Sequence, residues 1–480
     1  MKTTPIRILA ALGVIAMAGT VEPAAAQTSP SLQAGAAAVD ITPRQFPIRV
    51  RGTLCDRAYD ALHSRALVFS DGRTTLAMVV VDNLGVAEES CDDARKIAAE
   101  QCGIVPENVM IASTHTHRAP SSNCKEGEAA SVAYRKVLVE GMADSIVKAH
   151  AALRPAAIGA ASHPLPDEVR NRRWFLKPGK MPPNPWGLMD KVKMNPGTSE
   201  EVLERPAGPV DPDVMILSVR DAKTRKPLAI FANYALHYVG GLPKGQVSSD
   251  YFGEFARLMP TRVRGGEDFV AMLSNGASGD INNLPFLITR PPRERGEQIR
   301  IVASKTADAA WFAWKKIEDY QSSVPIGMIE RNITLKLRRP TAEQIERAKA
   351  TLAVTDKDEL AKLPKKAESY ARKTMSMLDG GQVTVPLQAI RLGDAAVCAI
   401  PFETLVEIGL ELKRRSPFAT TFVVGIANGY NGYLPPPNQH ELGGYETWLG
   451  TSRVQEDASV LIVDQLLGML AELRKGTAGK

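Results

Sequence analysis

The sequence lacks the features that mark several common classes of protein. Aromatic residues make up only 6% of its 480 residues, and its 59 lysines and arginines nearly balance its 53 aspartates and glutamates. The net charge of +6 is therefore spread thinly, and no RNP or zinc-finger pattern accompanies it, so we expect no nucleic-acid partner. The five cysteines include no Cys-x-x-Cys pair, and no motif frames one as a nucleophile, which argues against thiol catalysis.

Long apolar runs are also scarce. Beyond residue 26 none approaches the roughly 18 residues that a membrane span requires, so we expect no transmembrane segment. The first 26 residues instead have the three parts of a secretory signal peptide: a basic start with Lys2 and Arg7, an apolar stretch Ile8–Ala18, and the small-residue cleavage site Ala24–Ala26. We expect cleavage after Ala26, export to a bacterial periplasm or beyond, and a single domain over residues 27–480.

Alternating strand-like and helix-like segments predict an α/β fold. Thr75–Val81 and Asn108–Ala112 are typical of buried strands, and Glu88–Gln101 between them has helical spacing. Such a β-α-β unit implies parallel strands with a right-handed crossover. Since ligands of open α/β sheets bind at the carboxyl ends of the strands, we expect Asp82 and His115 to lie together there.

The same alternation continues to the end of the chain and predicts a mixed or parallel sheet flanked by helices. A capping-box pattern at Thr341 opens a charged helical insertion over about residues 341–378, expected at the periphery. Residues 165–212 form a long insertion rich in proline and glycine, with Trp174 among arginines. We expect this insertion to face the substrate, and a solvated basic loop is the alternative. Further strands are predicted at Ala156–Ala161, Val214–Val219, Ala229–Leu236, Phe269–Leu273, Ala395–Ile400 and Thr421–Ile426, and further helices at Tyr134–Leu153 and Ser452–Lys475.

Histidines are concentrated at one point of this pattern. The chain has only seven, yet His115 and His117 stand two residues apart at the end of a predicted strand. Neutral imidazole is the commonest transition-metal ligand in proteins. Other predicted strand ends carry further polar side chains, namely Asp82, His237, Asp280, Glu403 and Tyr433. The spacing by itself indicates a metal or acid–base site and goes no further.

The chain resembles the neutral/alkaline (non-lysosomal) ceramidase family over most of its length. Matching stretches occur in family order at Ala34–Ala36, Asp40–Pro43, Ala61–Ala66, Thr114–Pro120, Asn171–Arg172, around His237, and at Gly279–Asn282, Pro401–Thr404, Gly432–Leu434 and Gly443–Glu446. The resemblance implies the catalytic domain of a bacterial secreted member, without the C-terminal β-sandwich of longer relatives.

The resemblance also implies the composition of the site. On the matching positions, Zn²⁺ would be held by His115, His237, Glu403 and Tyr433. His117, Tyr445 and Arg172 would face the scissile group. We therefore expect a secreted zinc-dependent hydrolase in which a metal-activated water cleaves an N-acyl amide bond, with His117 as general acid and base and Tyr445 donating to the oxyanion.

Two other hypotheses about the function remain open. The same zinc site would serve an ester hydrolase, or a carbohydrate- or peptidoglycan-active hydrolase or lyase, and the fold would also serve a non-catalytic binding protein. The substrate is likewise open among ceramide and polar N-acylated lipids or glycans. A serine-based acyl-enzyme is excluded at one position, because Asn282 stands where the family pattern has serine.

Overall fold

The computed structural model describes residue 1 and residues 31–124 and 126–476. The predicted signal peptide therefore lies, apart from residue 1, outside the described residues. Among those that are described, no helix has the length and apolar character needed to cross a bilayer. All five cysteines are free thiols.

Two sheets form the centre of the molecule. The larger has eight strands: β1 Gln33–Asp40, β2 His63–Ser70, β3 Thr75–Val81, β4 Val109–Ser113, β5 Arg154–Pro164, β6 Asp213–Asp221, β7 Pro227–Tyr234 and β8 Val270–Asn275. Their spatial order is β8-β7-β6-β5-β1-β2-β3-β4. The smaller sheet has four strands in chain order: β9 Ile326–Lys336, β10 Gln382–Leu392, β11 Ala395–Ile400 and β12 Thr420–Gly425.

The longer helices cover the outer faces of both sheets, and the others lie in the connecting segments. Their bounds are α1 Glu88–Cys102, α2 Ala129–Ala151, α3 Asp250–Val263, α4 Glu297–Lys315, α5 Ala342–Ala353, α6 Lys357–Lys362, α7 Ala367–Met375, α8 Val406–Arg415, α9 Pro437–His440 and α10 Ala458–Lys475. Short 3₁₀ helices occur at Pro106–Asn108, Pro166–Glu168 and Tyr445–Thr447.

Short strands complete the loops. They pair Ile48–Val50 with Thr53–Cys55, Arg57–Ala58 with Gln246–Val247, Arg170–Asn171 with Ile281–Asn282, Arg173–Leu176 with both Lys193–Met194 and Leu203–Pro206, and Glu403–Thr404 with Tyr433–Leu434.

Alternation along the strands explains why the two sheets stack. In β3, Met78 and Val80 belong to a core shared with the smaller sheet, whereas Val79 and Val81 pack against the α1–α2 side. In β11, Val397 belongs to the shared core and Cys398 to the α8–α10 side. Because strand side chains alternate between faces, strands that are apolar at every position are buried on both sides. The layers therefore run helix, sheet, sheet, helix.

The predicted β-α-β unit is confirmed, since β3 and β4 are parallel and α1 connects them. The α/β class and the mixed sheet are also confirmed. The second sheet packed face to face on the first was not anticipated. Apolar runs reveal burial on both faces of a strand, but they do not reveal whether a helix or another sheet covers each face.

The two main sheets contain three parallel strand pairs, and the segments that leave their carboxyl ends meet at one place, where His115, His237 and Glu403 contact one another. The parallel pairs are β3–β4, β7–β8 and β11–β12. Beyond β12 the chain forms an antiparallel bridge with β4 at Ala112 and Ala427. The segments that follow β4, β7 and β11 are thereby brought together across the two sheets.

Both long insertions are folded and packed near this place. The helical insertion contains the three helices α5–α7 and opens with the expected capping box, in which Thr341 and Gln344 exchange side-chain to backbone hydrogen bonds. Its Thr374 accepts a hydrogen bond from Trp186 of the 165–212 segment, at 3.0 Å. The two insertions therefore form one layer over the strand ends.

We predict that the contact between the two sheets is a major source of stability. Phe422 of β12 and Phe231 of β7 are fully buried, with ring centroids 5.5 Å apart. Phe422→Ala should lower the free energy of unfolding by about 3–5 kcal/mol, as measured by denaturant titration. Phe312→Ala, at a position 47% exposed, is the matched control and should cost clearly less. Equal losses in both variants would contradict a shared core between the sheets.

Candidate metal centre and active site

His115 lies in the turn that follows β4. Its φ of +69° is a left-handed conformation that few residues other than glycine adopt. The side chain is buried, and its Nδ1–H donates to the carbonyl oxygen of Leu84 at 2.6 Å. The other ring nitrogen, Nε2, therefore carries a lone pair directed into the site.

His237 follows β7 and repeats this arrangement. It is 2% exposed, and its Nδ1–H donates to the carbonyl oxygen of Ser278 at 2.9 Å. Its Nε2 is buried without a hydrogen-bond partner among the described residues. Metal-binding histidines usually donate one ring N–H to a carbonyl in this way, which fixes the tautomer and the ring orientation.

Glu403 enters from the smaller sheet. The short strand Glu403–Thr404 pairs in parallel with Tyr433–Leu434. The Oε2 atom of Glu403 lies 3.2 Å from Nε2 of His115 and 3.5 Å from Nε2 of His237. This oxygen is buried without a hydrogen-bond partner. The other carboxylate oxygen, Oε1, accepts a hydrogen bond from the hydroxyl of Tyr430 at 2.6 Å.

Burial governs the electrostatics of these groups. It lowers the pKa of His237 well below its ordinary value, and the positive charge of Arg172 lowers it further. Burial alone would raise the pKa of Glu403, but His115, His237 and the Tyr430 hydroxyl hold it below its usual range. The site is therefore an ionised carboxylate beside an imidazole, His237, that is neutral at physiological pH.

A divalent metal ion fits this donor set. Two imidazole lone pairs and one carboxylate oxygen are all hydrogen-bond acceptors, so their close approach requires a cation or proton between them. Nitrogen and oxygen donors of this kind suit Zn²⁺ and related ions. The ring nitrogens of His115, His117 and His237 together lie within 4.8 Å of one another.

His117 differs from the other two histidines in its partners. Its Nδ1 contacts the guanidinium of Arg51, and its Nε2 lies 3.1 Å from Nε2 of His115. Because a guanidinium only donates, Nδ1 must accept, and neutral His117 then carries its proton on Nε2 inside the site. Burial, with the positive neighbours, lowers the pKa of His117. These contacts suit a proton donor better than a third metal ligand.

Tyr433 is held by a buried ion pair. The Nη2 of Arg172 donates to the Tyr433 hydroxyl at 2.9 Å, and its Nε donates to Glu446 at 2.9 Å. Arg173 donates to the second oxygen of Glu446 at 2.7 Å. Burial raises the pKa of Tyr433, while Arg172 acts to lower it. Arg172 therefore orients the Tyr433 hydroxyl on the Glu403 side of the site.

Two further tyrosines surround the centre. The ring of Tyr445 meets that of Tyr433 edge to face, with centroids 5.6 Å apart. Tyr238, next to His237, stacks on His117 at 3.7 Å between centroids. The predicted ligands and the predicted catalytic residues His117, Tyr445 and Arg172 thus all lie in one site, although their individual roles remain predictions.

Two predicted strand-end carboxylates lie outside the centre. Asp82 is buried in an ion pair with Arg65 at 2.8 Å. Asp280 accepts from the backbone N–H of Val406 at the start of α8 and from Asn171, and burial raises its pKa to about 6. Both carboxylates have structural partners, which strand-end position alone did not reveal.

Arg51 and Tyr430 contact the predicted site residues, yet sequence reasoning missed both. Arg51 lies at the tip of the hairpin Ile48–Val50 with Thr53–Cys55, where its φ of +48° and the following Gly52 form the turn. An Arg-Gly turn is a detectable hairpin signal, but nothing local links it to His117, 66 residues away. Tyr430 stands in a loop of glycines and asparagines, and no local sequence feature indicates that it contacts Glu403.

Comparison with known proteins gives the family of the chain. The family model described as neutral/alkaline non-lysosomal ceramidase, N-terminal, matches residues 57–308, about half of the chain. The chain belongs to this family, and membership places it among the hydrolases of amide bonds. No curated protein matches the sequence.

Solved structures agree in fold. The crystal structure of neutral ceramidase from Pseudomonas aeruginosa superposes with a TM-score of 0.68 at 18% identity. A structure of ceramidase complexed with C2 superposes with a TM-score of 0.67 at 17% identity. Each alignment covers 93% of this chain and 75% of the other.

We predict that Tyr430 supports metal binding through Glu403. Tyr430→Phe removes the 2.6 Å hydrogen bond to Oε1 and should weaken affinity for a divalent ion about 10- to 100-fold. Calorimetric titration of the metal-free protein with Zn²⁺ measures this. Tyr59→Phe, at a surface tyrosine, is the matched control and should bind as the wild type does. Unchanged affinity in Tyr430→Phe would mean that Glu403 needs no such support.

Proposed function

We propose that the chain is a zinc-dependent amidohydrolase that cleaves an N-acyl bond. The observation that carries the proposal is the pair of buried atoms without partners, Nε2 of His237 and Oε2 of Glu403, 3.5 Å apart. Leaving such groups buried and unpaired is costly, so they are typical of a binding site whose ligand completes them. Family membership supports the amide bond as the group that is cleaved.

The zinc ion would be held by His115, His237, Glu403 and Tyr433. When bound, zinc supplies the Lewis acidity that makes water a nucleophile near neutral pH and polarises a carbonyl. The Arg172 guanidinium beside the Tyr433 hydroxyl favours the phenolate form that a ligating tyrosine requires.

His117 is positioned to move the proton. Its Nε2 faces the centre, 3.1 Å from Nε2 of His115, while Arg51 and the stacked ring of Tyr238 fix the imidazole. The neutral ring would accept a proton from water to become imidazolium, and the imidazolium would then donate the proton on Nε2 to the leaving amine, which restores the neutral ring. The low pKa of His117 means that the ring gives up a proton readily.

Tyr445 would stabilise the oxygen of the tetrahedral intermediate. Its ring lies against Tyr433, and burial raises the pKa of its hydroxyl, so it remains a neutral donor. Asn282 offers no competing nucleophile. Its amide donates to Asn195, and a carboxamide does not form an acyl-enzyme.

Export to the bacterial periplasm or beyond is part of the same proposal. It rests on the basic, apolar and small-residue order of residues 1–26. Such a location would expose the enzyme to N-acylated lipids and glycans of the cell envelope or surroundings.

We predict that His117→Asn separates chemistry from metal binding. The variant should retain zinc but lower kcat by about 10²- to 10⁴-fold, because asparagine cannot exchange the proton. Turnover is measured on a short-chain ceramide and on N-octanoyl amino acids, with matching esters as a second panel. His150→Asn, in the last turn of α2, is the matched control and should keep full activity.

Two results would count against this assignment. Near-normal turnover of His117→Asn would remove the acid–base role. Zinc-loaded wild type that cleaves the esters but none of the amides would replace the amidohydrolase with an esterase.

A further inference from the structure

Four cations lie near the site residues Tyr445 and His117, and we call them the mouth cations: Arg51, Lys193, Lys365 and Lys366. They come from three separate parts of the chain. Arg51 is on the first hairpin, Lys193 is in the 165–212 insertion, and the two other lysines precede α7 in the helical insertion. None was singled out by sequence pattern.

Lys366 is the most constrained of the four. Its φ of +66° is left-handed, a conformation that a lysine adopts only when its surroundings impose it. Its Nζ lies 4.6 Å from the centroid of the Tyr445 ring, the proposed oxyanion donor. The ammonium group is therefore positioned beside the reacting groups.

Lys193 approaches from the opposite insertion. Its backbone pairs with Trp174, and the preceding Val192 carbonyl packs against Gly444, next to Tyr445. Burial and the positive charges of Lys365 and Lys366 lower the pKa of Lys193. Burial, Lys373 and Arg51 do the same to Lys366. Contacts with Tyr445, Gly444 and His117 therefore place Lys366, the Lys193 segment and Arg51 around one site, where their like charges repel one another.

The mouth cations lack the acidic partners that the same insertion gives four of its other basic residues. Along α5–α7 these pairs are Arg347–Glu343, Lys349–Glu346, Lys362–Glu359 and Arg372–Glu368. Among the described residues, no carboxylate forms an ion pair with Arg51, Lys193, Lys365 or Lys366. The mouth cations differ from other unpaired lysines of the insertion in their position, since Lys366 contacts Tyr445 and Arg51 contacts His117.

We propose that the mouth cations bind an anionic group, a carboxylate or a phosphate, carried by the substrate close to its scissile amide. The inference rests on the proposed function and narrows its substrates to N-acylated compounds that carry an anionic group. Repulsion among unpaired cations is relieved when an anion binds between them, which favours charged over neutral substrates. An uncharged ceramide would not neutralise the positive charge of the mouth cations.

The test compares substrates that differ only in the anion. One pair is N-octanoyl-serine and N-octanoyl-serinol, and the other is N-octanoylethanolamine phosphate and N-octanoylethanolamine. All are used as monomers in solution with zinc-loaded protein. Wild type should show at least tenfold higher kcat/KM for the charged member of one pair, and the pair that responds identifies carboxylate or phosphate.

Lys366→Gln should reduce that preference about fivefold, the scale of one partly shielded ion pair. Lys349→Gln, an exposed lysine of α5, is the matched control and should leave the preference unchanged. A second readout needs no turnover: the dissociation constant of octyl phosphate, measured by calorimetry, should rise about fivefold in Lys366→Gln alone.

The outcomes separate this inference from the proposed function. Cleavage of both members of each pair with equal efficiency would overturn the anion site and leave the amidohydrolase standing. Absence of all cleavage, with octyl phosphate binding weakened by Lys366→Gln, would overturn the amidohydrolase and support the anion site. Absence of cleavage with equal octyl phosphate binding in both proteins would overturn both. Lys366-dependent binding to phosphatidylglycerol vesicles without preference among the soluble pairs would overturn the substrate site in favour of membrane docking.

Discussion

The buried carboxylate of Glu403 is the constraint on which the site depends. One oxygen is satisfied by the Tyr430 hydroxyl, and the other faces the Nε2 atoms of His115 and His237 at 3.2 and 3.5 Å. Carbonyl partners hold the proton of each histidine on Nδ1, so three buried acceptor atoms converge. An arrangement of this kind is stable only with positive charge at its centre.

The two stacked sheets hold these three acceptor atoms together. His115 follows a strand of the larger sheet, His237 follows another, and Glu403 follows a strand of the smaller sheet. Stacking the sheets brings the three together over separations of more than a hundred residues in sequence. The insertions then cover the site and supply Arg172 and Lys366. The strand ends therefore carry the proposed metal ligands, and the insertions determine which substrates are bound.

Much of this could be predicted from the sequence, and the limits have physical causes. The β3-α1-β4 unit has strong local periodicity, and its parallel pairing is confirmed. His115, His237, Glu403 and Tyr433 were selected by family resemblance, and the structure brings them together. Arg51 and Tyr430 could not be found, because their roles come from contacts across the fold. Asp82 and Asp280 share the strand-end signal, but Arg65 and the backbone of Val406 bind them outside the centre.

The most direct test of the account is the metal content of the purified protein, measured by elemental analysis for wild type, His115→Ala and His237→Ala. We predict about one zinc ion per chain in the wild type and loss of that ion in both variants. Wild-type protein that holds no divalent metal, even after zinc is supplied during refolding, would contradict it. The converging acceptors would then need another source of positive charge, and the family fold would stand without the proposed chemistry.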